Sequence, residues 1–443
     1  MKITRVLTVI FLIALTVAGW FSMIASDELK SVGMSDEERI AKIAIAEEYT
    51  ERGLYQKAIL EYEAITAEYD REEDWEKLLT VYQLRYDEDE HIRNDFIDTA
   101  KRAVRSYPSN VSMCTTLVKL CVKYGQYTMA YQYAKMTKKA GGSGEEFDRL
   151  FLDVAYSYTG SDAVFTAVEP PVNRFYAVRE GDYWGLVRTN GKNYCARKYL
   201  FVSSVGEDGV YIRCDGEENL LIDDDEVTQG KLSFIPDDAG IFSEGLIPLK
   251  QGDRFAYHNA LGDKIFGSYE EAGTFSDGKA AVKTNGKWIL VDREGKEASP
   301  AYEEVVLASD GTWNHDGVMI ASSGGVYNLY DQKGKQVGNL NSEDMDSSES
   351  SLIAFKSGGK WGFANNKGEI MISPAYEEAR SFSNGLAAVR VGDAWGFIDK
   401  EGEIVIPPKF SETGYFSKEG SCMVRIGSAN WTLIILNNPE VLK

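Results

Sequence analysis

The sequence predicts a multidomain protein of α plus all-β class: an N-terminal transmembrane helix, an α-solenoid of helix pairs, then a repeat array of about eight three-stranded antiparallel β units. Three observations predict it. Residues 6–25 are apolar and uncharged, residues 26–160 carry apolar positions three and four apart, and residues 163–437 repeat aromatic and glycine markers. A chain of 443 residues, 44% hydrophobic, can build several cores. Its 48 basic against 69 acidic residues, a net charge of −21, argue against a nucleic-acid ligand, whose phosphates need clustered Lys and Arg. Five scattered cysteines make no disulfide framework, and three histidines, His91, His258 and His315, leave few ways to assemble a zinc or triad site.

Lys2 and Arg5 form a short cytoplasmic tip, residues 1–5, ahead of the apolar run. At about 1.5 Å per residue the run spans roughly 30 Å, the hydrocarbon thickness of a bilayer. Val6, Leu7, Phe11, Leu12, Leu15, Trp20 and Phe21 are its anchoring side chains. Bulky Trp20, Phe21, Met23 and Ile24 spoil a small-x-small cleavage pattern, so an uncleaved single-pass anchor is preferred. Everything from residue 26 onward then lies outside the cytoplasm; a cleaved signal peptide, giving a secreted protein, is the alternative.

From a capping Ser35 the chain reads as helix. Gly53-Leu54-Tyr55 with Ala58 returns as Gly125-Gln126-Tyr127 with Ala130, 72 residues later. Between them a helix from about residue 90 to 106 places Phe96, Ala100 and Ala103 on one face before Pro108, and a last helix is expected over 145–158. Residues 26–160 resemble a tetratricopeptide array of three helix pairs plus a closing helix, although the middle pair lacks the inter-helix glycine. The resemblance implies a partner-binding scaffold. Cys114 and Cys121 share one helical face, so both should be buried and unbridged.

In the second half, Trp184, Asn219, Phe255, Trp288, Tyr327, Trp361, Trp395 and Trp431 follow one another at 35, 36, 33, 39, 34, 34 and 36 residues. Ten residues before the marker stand Gly209, Gly245, Gly278, Gly317, Ser351 and Gly385, with Gly420 eleven before. Seven after stand Gly191, Gly262, Gly295, Gly334, Gly368 and Gly402. One unit, from Phe382, reads as three short strands joined by glycine turns and stopped by Pro407 and Pro408. A later aromatic, Tyr199, Tyr269, Tyr302, Tyr376 or Phe410, should pack between units. Trp184-Gly185, Trp361-Gly362 and Trp395-Gly396 in this setting resemble the WG-repeat family of bacterial proteins. The resemblance implies a β-repeat interaction domain over 163–437, with no catalytic chemistry to carry over; residues 438–443 are left as a tail. The last unit lacks a strand and residues 163–168 form a lone strand-like piece, which predicts a closed, propeller-like ring over an open β-solenoid.

Candidate chemistry is sparse. The recurrent aromatics fit core packing better than sugar stacking. Asp223-Asp224-Asp225-Glu226 lacks the alternation of a calcium loop, and the recurring Glu303-Glu304 and Glu377-Glu378 read as surface features. No catalytic, metal or cofactor-binding residues are assigned. The reading is a non-catalytic, membrane-anchored, extracytoplasmic scaffold binding proteins or an envelope glycan; the alternative is a cell-envelope enzyme, or its regulatory subunit, with an acidic site in the β array. Residues 111–144 carry five lysines and no acid, against a net −18 over 145–443, so Lys119, Lys123, Lys135, Lys138 and Lys139 are the candidate contacts for an acidic partner.

Overall fold

The computed structural model describes residues 36–206, 209–314, 317–331, 333–347 and 352–442. The predicted anchor, Ser35 and His315 lie outside these residues. Among the described residues no helix is long and apolar enough to cross a membrane. The chain divides after Val154 into two compact units.

The first unit contains seven described α-helices: α1 Asp36–Glu51, α2 Tyr55–Tyr69, α3 Glu72–Glu88, α4 Arg93–Ser106, α5 Val111–Lys123, α6 Tyr127–Lys139 and α7 Glu145–Ala155. Gly53 and Gly125 both take φ 69°, a left-handed turn that glycine enters without Cβ strain. Each is followed by a residue whose N–H reaches back across the helix end, Leu54 to the Tyr49 carbonyl and Gln126 to that of Cys121, both at 2.8 Å. Ala58, Ala100, Ala103 and Ala130 are fully buried, which lets neighbouring helices approach. The middle pair replaces glycine with Asp89, whose side chain accepts the His91 N–H at 3.0 Å and starts one 3-10 turn, Glu90–Ile92. Cys114 and Cys121 are buried and free, as expected. The last helix ends at Ala155, short of residue 158, because Tyr158 already belongs to a strand. The helical segment therefore stops before residue 160.

The second unit is an eight-bladed β-propeller. In chain order the blades span 167–199, 201–231, 238–269, 271–292, 304–342, 344–376, 378–410 and 412–436, the last completed by 158–165. We letter the strands of a blade a to d from the axis outward. Each unit was expected to have three strands; seven blades have four. The missed strand is a, only two or three residues long in blades 1 to 8, too short to show alternation. The ring closes as predicted but with different residues: Tyr158–Phe165 pairs antiparallel with Trp431–Leu436, from Tyr158↔Leu436 to Phe165↔Trp431, while Ala167–Val168 becomes strand a of blade 1. Gly160, Ser161 and Asp162 hide that strand in the sequence, and a bulge between Gly160 and Val164 absorbs them. Blade 4 has no strand d. Its c edge is satisfied instead by Tyr302, which exchanges both backbone bonds with Trp288, and by the Ser299 hydroxyl, which accepts the Leu290 N–H at 2.8 Å. Pro439–Leu442 of the tail forms a short 3-10 turn.

Candidate binding surfaces

The aromatic markers all begin or nearly begin strand c, and each is one member of a row that crosses its blade. In blade 7 the row is Glu378, Arg390, Trp395 and Phe410. In blade 3 it is Asp238, Lys250, Phe255 and Tyr269, and in blade 6 Asp344, Lys356, Trp361 and Tyr376. Blade 4 repeats it with Glu271, Lys283, Trp288 and Tyr302. Arg390 pairs with Glu378 at 2.8 Å; Arg179, Lys250, Lys283 and Arg425 lie 5.3–6.0 Å above Trp184, Phe255, Trp288 and Trp431, and Trp395 is covered at 5.6 Å by Arg380, from outside its row. Such contacts stabilise each row by about 0.5–1 kcal/mol per contact at these partly exposed positions. The later aromatic thus sits across from the marker in its own blade and, as expected, also packs against the next one: Tyr199 joins a core with Val202 and Tyr211 of blade 2, and the Tyr302 ring lies 5.2 Å from that of Tyr330 in blade 5. Tyr327 breaks the row: its partners are Ser322 and Ser342, and its hydroxyl bonds Glu304.

The glycine after the tryptophan has its own reason. Opposite Gly185, Gly362 and Gly396 strand d bulges inward, so a Cβ would stand 2.6 Å from the carbonyl oxygens of Cys195, Ile372 and Ile406. Blades without it adjust around strand d. Trp288 is followed by Ile289, in the blade that has no regular strand d.

The glycines ten residues before the marker close the a–b loops. Glu244-Gly245, Asp277-Gly278 and Asn384-Gly385 have both φ values positive, 51° and 81°, 52° and 72°, 50° and 89°, which is the type I′ turn. Their first residues reach the next blade round the ring. The Glu244 carboxylate accepts the Gly278 N–H at 3.1 Å, Asp277 accepts from the Asn314 amide at 2.5 Å, and Asn384 donates to the Phe416 carbonyl at 2.8 Å. Between blades 8 and 1, Thr189 of blade 1 donates to Glu419 of blade 8 at 3.0 Å. These clasps were not foreseen; the acid or amide preceding each turn glycine was their only signal.

Asp223 to Glu226 form a c–d turn. Asp223 accepts the N–H groups of Asp225 and Val227 and the Gln229 amide, while Glu226 takes φ 62°, the place of glycine elsewhere. Glu303 accepts the Gly325 N–H at 2.9 Å, as Glu270 does from Gly286, so the first acid of each recurring pair caps a b–c turn. His258 is buried with Nδ1 3.1 Å from the Gly262 carbonyl, and burial pushes its pKa down. Asp346 accepts the Ser381 N–H and the Tyr415 hydroxyl, both at 2.7 Å, joining blades 6, 7 and 8; burial holds its carboxyl above the usual range against those donors and Arg380.

The five lysines lie on two helices. On α5, Lys119 pairs with Glu146 at 2.9 Å and Lys123 with Glu90 at 2.6 Å; on α6, Lys138 pairs with Asp148 at 2.5 Å. The charge that residues 111–144 show is therefore largely met by acids just outside that stretch. Lys135 lies 5.1 Å from the Tyr131 ring, and Lys139 is exposed. Lys119 and Lys123 instead line a groove of about 730 Å³ between α3, α5 and α7, floored by Tyr86, Leu120 and Phe147 and edged by Ser112, Thr115 and Thr116. On the a–b face of the propeller one cavity of about 630 Å³ is lined by Glu244, Asp277 and Asp310, another of about 530 Å³ by Arg174 and Lys418.

The profile of the WG containing repeat matches residues 268–288, 361–393 and 395–428. The chain carries WG repeats. The two longer matches start at the strand c tryptophan, so a WG repeat runs from c and d of one blade into a and b of the next. Such an offset leaves one blade to be completed from the two ends of the array. Among solved structures this chain is similar to BamB from Moraxella catarrhalis, at 11% identity, 63% of this chain, 98% of that chain and a TM-score of 0.42. It is also similar to Hsv2p from Kluyveromyces lactis, at 12% identity, 61% and 97% coverage and a TM-score of 0.36. Pseudomonas aeruginosa pilF is similar over 26% of this chain and 52% of its own, at 17% identity and a TM-score of 0.21. No curated protein matches the sequence.

Proposed function

We propose that the protein is a non-catalytic interaction scaffold, held at the outer face of a cell membrane by residues 6–25, in which a tetratricopeptide-like helical unit and a WG-repeat propeller each present a binding surface. The observation that carries this reading is the groove between α3, α5 and α7. Its floor of Tyr86, Leu120 and Phe147 supplies apolar area, its hydroxyl and amide rim supplies adaptable hydrogen bonding, and its ion pairs sit at the edges. That combination suits an extended segment of a partner protein.

A photo-crosslinking residue placed at Thr116, inside the groove, and another at Leu60, 58% exposed on α2, test it in intact cells. A discrete adduct from Thr116 that Leu60 does not give is expected. The scaffold reading fails if Thr116 gives none. Membrane placement is tested separately, by whether a protease added outside intact protoplasts removes the propeller.

A further inference from the structure

Blade 1 departs from the rule that blades 2, 3, 4, 5 and 7 keep. Ten residues before Trp184, where Gly245, Gly278 and Gly385 supply a positive φ, stands Arg174, at φ 124°. A side chain is strained there, and glycine would remove the strain. The guanidinium does not offset it locally: among the described residues Arg174 forms no ion pair. It lines an open cavity of about 530 Å³ between the a–b loops of blades 1, 7 and 8 and the blade 1 c–d turn at Thr189, together with an exposed Lys418 that also forms no ion pair among the described residues. Two uncommitted cations share one cavity in a region, 145–443, that carries a net −18. The volume falls within the roughly 300–1,000 Å³ of small-molecule sites.

The rest of the lining narrows the ligand. Asn173 and Asn384 donate their amide groups to the carbonyls of Gly206 and Phe416, each at 2.8 Å, which fixes both side-chain oxygens as acceptors. Glu419 adds a carboxylate at the same rim. A simple anion would use the two cations but meet these acceptors with nothing to donate. A molecule bearing one carboxylate beside several hydroxyls would use both sets. We propose that this cavity binds a hydroxylated carboxylate of the uronic-acid class, its carboxylate on Arg174 and Lys418 and its hydroxyls on Asn173, Asn384 and Glu419.

The inference rests on the scaffold reading for its context and names a ligand class for the propeller alone, so crosslinking at Thr116 and sugar binding here succeed or fail separately. The test is calorimetric titration of the intact, detergent-solubilised chain with glucuronate and a galacturonate dimer, against glucose, acetate and inorganic phosphate. Saturable uronate binding is expected, with glucose, acetate and phosphate each at least tenfold weaker. Arg174→Gly should weaken it at least tenfold while raising the melting temperature, a pairing that a misfolded variant cannot give. Lys418→Ala should weaken it several-fold with the melting temperature unchanged. Absence of saturable uronate binding overturns the proposal, as does glucose, acetate or phosphate binding equally well, or unchanged affinity in Arg174→Gly.

Discussion

Single positions in this chain are decided by where a Cβ fits. At Gly396 the Ile406 carbonyl oxygen and the Pro408 nitrogen would stand 2.6 and 2.7 Å from an added methyl, and both are backbone atoms of a strand held from the other side. Gly396→Ala should therefore cost about 1–3 kcal/mol in chemical denaturation, the range of an overpacked core. Gly392→Ala tests a different mechanism, since nothing lies within 4 Å of its Cβ and only its φ of 62° resists. Glu226 is the converse case. It holds φ 62° where Gly402 and its counterparts hold 77–92°, so Glu226→Gly should stabilise by about 0.5–1 kcal/mol, left-handed strain relieved less the added freedom of the unfolded chain. An unchanged or lowered midpoint would refute that. These glycine positions were legible in the sequence because a left-handed backbone restricts the residue type, and the restriction repeats with the blade. Arg174 was illegible for the same reason: a position that departs from the rule looks like an absent marker until the backbone shows that it is still a turn.

Elements are joined by side chains that periodicity cannot pair. The helix α1 is tied to α3 by Arg39, whose Nε and Nη2 donate to the Asp74 carboxylate at 2.8 and 2.7 Å. Arg39 is 7% exposed and Asp74 fully buried, and the carboxylates of Asp74 and Glu73 push the guanidinium pKa up further. Asp74→Ala should destabilise the helical unit by about 3 kcal/mol, the low end for a broken buried pair because Glu73 still reaches the cation. Arg39→Met with Asp74→Leu should regain most of that loss, since a buried pair and an apolar pair of similar volume are near equal. A double variant no better than Asp74→Ala would show that the pair itself specifies the α1–α3 contact. In the sequence nothing pairs the two, which stand 35 residues apart on different helices. The blade rows were half legible in the same way. The tryptophan announced itself by its period, but its acid and its cation became partners only through registers set by turns that no spacing reveals.

At the scale of the whole propeller, the WG repeat and the blade are out of phase, and this dictates how the ring holds. Each repeat runs from the outer strands of one blade into the inner strands of the next, so neighbouring blades are covalently linked all round the ring, blade 8 to blade 1 through Phe165-Thr166-Ala167. The seam held without a covalent link lies inside blade 8, between its strands c and d. There the closure depends on Tyr158–Phe165 beside Trp431–Leu436 and on Phe165 opposite Trp431, supported by the bond from Thr189 of blade 1 to Glu419 of blade 8. An open ring would expose the edge of Trp431–Leu436 along its length. A propeller fragment beginning at residue 155 should then unfold in one transition, whereas one beginning at residue 166 should melt at least 10 °C lower and associate through that edge. A synthetic peptide of residues 156–165 added to the shorter fragment should restore most of the difference, because it returns the fourth strand and its apolar cover without the covalent link. Equal melting temperatures for the two fragments would show that blade 8 holds with three strands, as blade 4 does, and that its seam is no weaker than the other junctions.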